Sequence, residues 1–157
     1  MIESMEILND RLFHVDPATL FDAFADPDKL KQWWGPHGFT NTIGAFDLRP
    51  GGTWQITMTA SNGNDFDNLS TFQEVVANRR IVFLHHEPMH VYTMEMDFVP
   101  EDQGTRLCWR MLFEPTEENL QLQKFIAAAN EQNFDRLGDL LEQLSGERCH
   151  DDRTRSR

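Results

Sequence analysis

The 157 residues carry a formal net charge of −12, which argues against nucleic acid and anionic membrane surfaces as partners, because affinity for both rests on Lys and Arg neutralising phosphates. The apolar share is 39% and the aromatic share 11%, with twelve Phe and four Trp, enough for one domain around a single ring-rich core. Cys108 in an apolar run and Cys149 in a polar tail do not read as a disulfide framework, and neither a secretion signal nor a bilayer-spanning apolar run is apparent, so a reducing, cytoplasmic location without membrane insertion is expected.

In chain order, residues 5–15 (MEILNDRLFHV) place Ile7, Leu12 and Phe13 in an imperfect alternation that predicts a first strand. Asp16 before Pro17 is an N-cap with proline at the first helical position, and Leu20, Phe21 and Phe24 recur at helical spacing, which predicts a short helix. Asp26-Pro27 repeats the signal for a second short helix carrying Leu30, Trp33 and Trp34, which must stop before Gly35-Pro36. The period then falls to two. Residues 39–48 read as a strand, 49–52 (RPGG) as a turn, and Trp54, Ile56 and Met58 alternate with Thr53, Gln55, Thr57 and Thr59. A turn at 61–65 precedes strands over 66–76, 81–86, 91–99 and 105–113, with a hairpin turn at 102–104. Connections this short require antiparallel neighbours, since parallel ones need a crossover of about a dozen residues. Residues 117–144 predict one helix of about 42 Å. Phe125, Ile126, Ala129, Asn133, Leu137, Leu140 and Leu144 fall near one of its faces. Gly146 is the expected stop, which leaves a single domain over 1–145 and a disordered charged tail over 146–157.

A curved antiparallel sheet must cover its apolar face, and the last helix is long enough to do so. Met94, Met96 and Phe98 share one strand face, as do Leu107, Trp109, Met111 and Phe113, and these are assigned to the concave side. A sheet gripping one helix and lidded by two short ones can keep an internal cavity. The expected class is α+β: about six or seven antiparallel strands wrapped around a long C-terminal helix.

The runs FDAFADPDKLKQWWGPHGF, FDLRPGGTWQITM, FQEVVANRRIVFLHHE and GTRLCWRM, in that order before a long helix, resemble the domain related to the heat-shock protein 90 ATPase activator, of the START-like or Bet v 1-like superfamily (SRPBCC). The resemblance covers about residues 6–144 and implies a helix-grip fold with a hydrophobic cavity, as in single-domain bacterial members. It also implies a stress-linked chaperone partner, but the separate N-terminal chaperone-binding domain of the naming activator has no room in this chain. The family commonly carries Gly-Trp in the middle of the last helix where this chain has Gln132-Asn133, which implies a roomier or more polar pocket.

The RPGG turn feeds a strand, not a helix N-terminus, so it reads as structural: Pro50 and the glycines shape the backbone, and Asp47 or Arg49 ties the loop down. His85, His86 and His90 with Glu87 invite a metal, but adjacent strand residues point to opposite faces, and neither metal nor cofactor is expected. One histidine of the pair should face inward, His85 in the family register, as a hydrogen-bonding partner, a general base or a structural histidine. Asn133, if buried, needs partners; His85, Asp97, a ligand or water could supply them. Arg110 and Asp97 fit a surface cross-strand ion pair. Cys108 reads as a small strand residue, not a reactive thiolate.

The leading expectation is a binder of a small hydrophobic or aromatic molecule, lined by Trp33, Trp34, His37, Trp54, Phe83, His85, Met94, Met96, Trp109, Ala129, Asn133 and Leu137, with Asn133 and His85 giving polar orientation. A cyclase- or aromatase-like enzyme with His85 or His37 as base is the alternative, and a chaperone-interacting protein the third. Of Trp33 and Trp34, one should seal the cavity, with His37 near its entrance. Exposed edge strands offer a route to a homodimer.

Overall fold

The computed structural model describes the backbone over residues 5–87 and 91–155, and side chains over 5–86 and 91–145. Ten elements follow in chain order: β1 (Met5–Phe13), α1 (Pro17–Ala25), α2 (Pro27–Trp33), β2 (Thr40–Phe46), β3 (Thr53–Thr59), β4 (Asp65–Val76), β5 (Arg80–Glu87), β6 (Tyr92–Glu101), β7 (Gly104–Phe113) and α3 (Glu117–Arg155). The seven strands form one antiparallel sheet in the order β1-β7-β6-β5-β4-β3-β2. This is the helix-grip architecture: β2 to β7 meander hairpin by hairpin, and β1 returns to pair with the last strand.

The local signals act as their chemistry dictates. Asp16 accepts the Thr19 N–H at 2.8 Å and starts α1, while Asp26 accepts the Asp28 N–H at 2.9 Å and starts α2, each with proline next. The RPGG turn is structural: the Gly51 N–H donates to Phe72 O at 2.8 Å and the Phe72 N–H donates to Gly52 O at 2.9 Å, which docks the turn onto β4. A Cβ at Gly52 would lie 1.9 Å from the Asp47 carbonyl oxygen, so this position accepts only glycine. Arg49 Nε donates to Asp47 at 2.8 Å, as expected of the pair. Register shifts on the β4–β5 pair, between Leu69/Ser70 and Phe72/Glu74, bend the sheet into a cup.

Asn130, Asn133, Phe134, Leu137, Leu140 and Leu141 of α3 are buried, whereas Leu120 and Phe125 in its first turns are 50% and 71% exposed. The buried stripe is therefore displaced toward the helix's middle, and Phe125 leaves the expected apolar face for the rim. The helix is fixed against β1: Asn9 Nδ2 donates to Ala127 O at 3.1 Å, Asn130 Nδ2 donates to Asn9 Oδ1 at 3.0 Å, and Arg11 pairs with Glu131 and Asp135, each at 2.8 Å. Gly146 does not end α3, whose helical backbone continues to Arg155; one glycine costs a helix only about 1 kcal/mol. The expectation of a disordered tail over 146–157 falls on residues whose side chains lie outside the described ones.

The outer face carries the ion pairs, with partners set by register. Arg110 faces Glu95 and pairs with Glu6 and Glu95, while Asp97 faces Arg80 and holds it with two bonds of 2.7 and 2.8 Å. The expected Arg110–Asp97 pair is thus replaced by one network in which Glu95 lies between Arg110, at 3.3 Å, and Arg80, at 3.7 Å. Cys108, opposite Asp97 and Asp10, is half-buried, and burial followed by those carboxylates pushes its thiol pKa up.

Candidate functional site

Between the concave face and α3 lies a cavity of about 430 Å³. Its floor is a box of rings: Trp34 meets Trp54 edge-on at 5.0 Å, Trp109 at 5.5 Å and Phe83 at 6.2 Å, and Trp54 meets Phe83 at 5.2 Å. Edge-to-face contacts of this kind rigidify a wall and leave ring faces to meet a flat guest. Ile56, Met58, Met94 and Met111 complete the apolar floor, and Phe39, Phe66, Phe125 and Ile126 stand around it. Among the described residues none of those lining it is Asp, Glu, Lys or Arg.

Eight of the twelve expected lining residues meet here: Trp34, Trp54, Phe83, His85, Met94, Trp109, Ala129 and Asn133. Four do not. Trp33 is fully buried behind the wall, where its indole N–H donates to Ala23 O at 2.9 Å and its ring packs on Phe24 at 4.8 Å. Met96 fills the outer core with Phe24, Leu30 and Ile81, and Leu137 is sealed in the helix–sheet core. His37 sits outside on the surface, its side chain 58% exposed, 3.4 Å from Asp135. The two adjacent tryptophans thus divide as their helical offset requires, one to the core and one to the cavity.

Asn133 meets neither His85 nor Asp97. Its Oδ1 accepts the Gly35 N–H at 2.7 Å and its Nδ2 donates to Ala129 O at 3.2 Å. Beside it, Gln132 accepts the His37 N–H at 3.1 Å, and Arg136 Nη1 donates to the carbonyls of Trp34, Gly35 and Pro36 at 3.0 Å each, with Nη2 reaching Gln32 O at 3.1 Å. Among the described residues Arg136 pairs with no carboxylate, and burial lowers its pKa from the usual guanidinium value. One face of α3 therefore clasps the WWGPH loop by its backbone and sets the position of Trp34. Gly35, at φ +98°, supplies the turn that makes this approach possible.

The polar groups of the cavity lie mainly on the sheet. His85 is 5% exposed, stacks on Tyr92 at 4.5 Å, and its Nε2 lies 2.8 Å from Asn68 Oδ1. Asn68 Nδ2 donates to Phe66 O at 3.0 Å; a carbonyl only accepts, so Asn68 presents its oxygen to His85, and Nε2 carries the proton. His86 points outward to Thr71, as alternation requires, and His90 lies outside the described residues. Burial raises the Tyr92 phenol above its ordinary pKa, so it stays a neutral hydroxyl. Trp54, Ser70, His85 and Tyr92 are successive partners across four strands. Asn68, Ser70 and Tyr92 escaped the sequence reading, although alternation is the signal that places them on the inner face: with Phe66 and Phe72 on β4 for Asn68 and Ser70, and with Met94 and Met96 on β6 for Tyr92.

A larger concavity of about 770 Å³ between β1 and α3 includes the charged side chains Arg11, Asp135, Asp139 and Glu142, and its Arg11 is already engaged by Glu131 and Asp135. Among the described residues no helix is long and apolar enough to cross a membrane.

The model of the family described as "Activator of Hsp90 ATPase homolog 1-like protein" matches residues 14–144. No curated protein matches the sequence. Among solved structures, a protein from Nitrosomonas europaea aligns at 23% identity over 90% of this chain and 97% of its own, with a TM-score of 0.81. One from Rhodobacter sphaeroides aligns at 18% identity over 88% and 93%, with a TM-score of 0.79. A Staphylococcus epidermidis protein aligns at 20% identity over 91% and 94%, with a TM-score of 0.76. At these identities the likeness is one of fold.

Proposed function

The chain belongs to the family of activator of Hsp90 ATPase homolog 1-like proteins, and from that premise we propose that it is a cytoplasmic binding protein for small hydrophobic, chiefly aromatic, molecules, held between the sheet and α3. The observation that carries this reading is the ring-walled cavity of about 430 Å³, a volume within the usual range of small-molecule sites, whose lining includes no fixed charge among the described residues. Trp34, Trp54, Phe83 and Trp109 supply flat contact, Met58, Met94 and Met111 adapt to its outline, and His85 supplies polarity.

A thermal-shift and native mass screen of aromatic metabolites tests it, with wild type compared with Ala129→Trp, which fills the cavity from the helix side. A ligand at a hundred times its dissociation constant stabilises the fold by about 2.7 kcal/mol, and the filled variant should lose that shift while remaining folded. If no compound shifts wild type at millimolar concentration, the reading fails.

A second reading has one specific support: two titratable side chains, His85 and Tyr92, converge on the cavity in stacked contact. In a cyclase- or aromatase-like reaction His85 would act as the base and the neutral Tyr92 hydroxyl as donor to a developing oxyanion. Turnover lost in His85→Ala with ligand affinity retained would favour it, and turnover unchanged in that variant would end it.

A further inference from the structure

The sequence pointed to Asn133 as the group that orients a guest, but both ends of its amide are engaged by the backbone of Gly35 and Ala129. The Asn130 nitrogen is also engaged, by the Asn9 side chain at 3.0 Å and the Met111 sulfur at 3.2 Å. The amide nitrogens that α3 turns to the cavity are therefore taken up by the protein's own groups. On the sheet the situation differs: Asn68, Ser70, His85 and Tyr92 gather on neighbouring strands. Trp54, next in that cross-strand row, has an indole N–H with no hydrogen-bond partner among the described residues.

We propose that the row Trp54–Ser70–His85–Tyr92, with Asn68 behind it, is the polar subsite of the cavity, and that it selects an uncharged aromatic ligand bearing one oxygen, a phenol, alcohol or ketone, over an ionised carboxylate of the same shape. The inference rests on the binding reading above and names its ligand class. Ser70 and Tyr92 carry hydroxyls, each able to give and accept one bond, and the Trp54 indole gives one. A neutral oxygen can satisfy such groups. A carboxylate would leave water to enter a cavity lined, among the described residues, by no Lys or Arg, and an uncompensated buried charge is far more costly than an uncompensated hydroxyl. His85 holds its Nε2 proton toward Asn68, so the pair is a fixed element of the subsite.

The experiment uses three probes of one shape, 2-naphthol, 2-methylnaphthalene and 2-naphthoate, titrated at pH 7 into the full chain and followed by the amide and indole N–H signals in nitrogen-15 NMR. Wild type should bind 2-naphthol about tenfold more tightly than 2-methylnaphthalene, the effect of one net hydrogen bond, and at least about a hundredfold more tightly than 2-naphthoate. The Trp54 indole signal should move with 2-naphthol more than with 2-methylnaphthalene. Ser70→Ala/Tyr92→Phe removes both hydroxyls of the row and keeps a ring against His85; it should bring the first two probes within about threefold of each other. Ser70→Ala, a smaller change, should weaken 2-naphthol alone and serves if the double variant does not fold. Equal affinity of wild type for 2-naphthol and 2-methylnaphthalene, tighter binding of 2-naphthoate, or undiminished discrimination in both variants overturns the subsite while leaving the cavity as a binding site. Binding of none of the three removes the binding reading itself, and the subsite with it.

Discussion

Replacing Arg136 by methionine keeps the length and much of the apolar stem of the side chain but removes every hydrogen bond from the guanidinium. Four backbone carbonyls, those of Gln32, Trp34, Gly35 and Pro36, lose this donor at once, although Trp34 O keeps Asn41 Nδ2 at 2.7 Å and Pro36 O keeps the Phe39 N–H at 3.2 Å. A bond from a charged donor contributes about 1.5–3 kcal/mol when buried. Here four bonds share one half-buried group and water can replace the donor to the more exposed Gln32 carbonyl, so the sum is about 3 kcal/mol. For a domain of this size that lowers the thermal midpoint by about 6–12 °C. Arg136→Lys should fall between, since an ammonium is a compact charge that cannot span the carbonyls reached by a planar fork. Urea denaturation followed by tryptophan fluorescence reads the loss, and the same samples report whether the environment of Trp34 has changed before unfolding. A cost under about 1 kcal/mol for Arg136→Met, or a lysine variant equal to wild type, would refute the claim that this clasp holds the WWGPH loop on α3.

Other outcomes follow from the same geometry. Gly52→Ala should cost about 3 kcal/mol or prevent folding, because the new methyl collides with the Asp47 carbonyl and frees Phe72 from the turn, whereas Gly51→Ala meets open space and carries only the strain of φ +85°, about 1–2 kcal/mol; denaturation midpoints separate the two. Trp33→Phe should cost about 1–3 kcal/mol through the orphaned Ala23 carbonyl yet change 2-naphthol affinity less than twofold, while Trp34→Ala should weaken that affinity more than tenfold in the same NMR titration. Tyr92 is the chain's single tyrosine, so phenolate absorbance reports it alone. Burial raises its folded pKa above the unfolded value of 10.0, so its stabilising contribution is complete below that pH and declines as the pH rises past it, by up to about 1.4 kcal/mol per unit. Folded protein should show no phenolate at pH 10, and Tyr92→Phe should flatten the alkaline loss of stability.

The strands, the two capped helices and the helix that the sheet grips were legible because each rests on short-range chemistry: Asp16 and Asp26 before proline, alternation on β3, large apolar residues at every second position on β7. The cavity wall was legible where a residue's face follows from alternation alone, as for Trp54, Phe83, His85, Met94 and Trp109. It was not legible where three-dimensional position decides. Met96 lies one pleat from Met94 on the same face, yet it reaches past the cavity into the core under α1 and α2. Leu137 lies four residues beyond Asn133 on the same helical stripe, but at a depth where helix and sheet close on each other. Asn133 looked like a polar intruder awaiting a ligand because its partner, a backbone N–H 98 positions earlier in the chain, has no signature in sequence. The ion-pair partners of Arg110 and Asp97 depended on strand register, which a shift of two residues changes without altering either side chain's face.

The pairing of β1 with β7 has a consequence for how the chain reaches its native state. Glu6 and Arg110 stand 104 positions apart, yet their strands are neighbours in the sheet. The meander from β2 to β7 can zip by local hairpins, each closing a short loop, but β1, made before the other six strands of the sheet, stays without its partner until β7 has emerged. Met5, Ile7 and Phe13, all buried in the finished sheet, are exposed throughout that interval, and β6 and β7 offer an unpaired edge for as long. Closure of this seam should be the slow, long-range step of folding, and a chain truncated after β6 would carry two apolar edges and aggregate in place of folding.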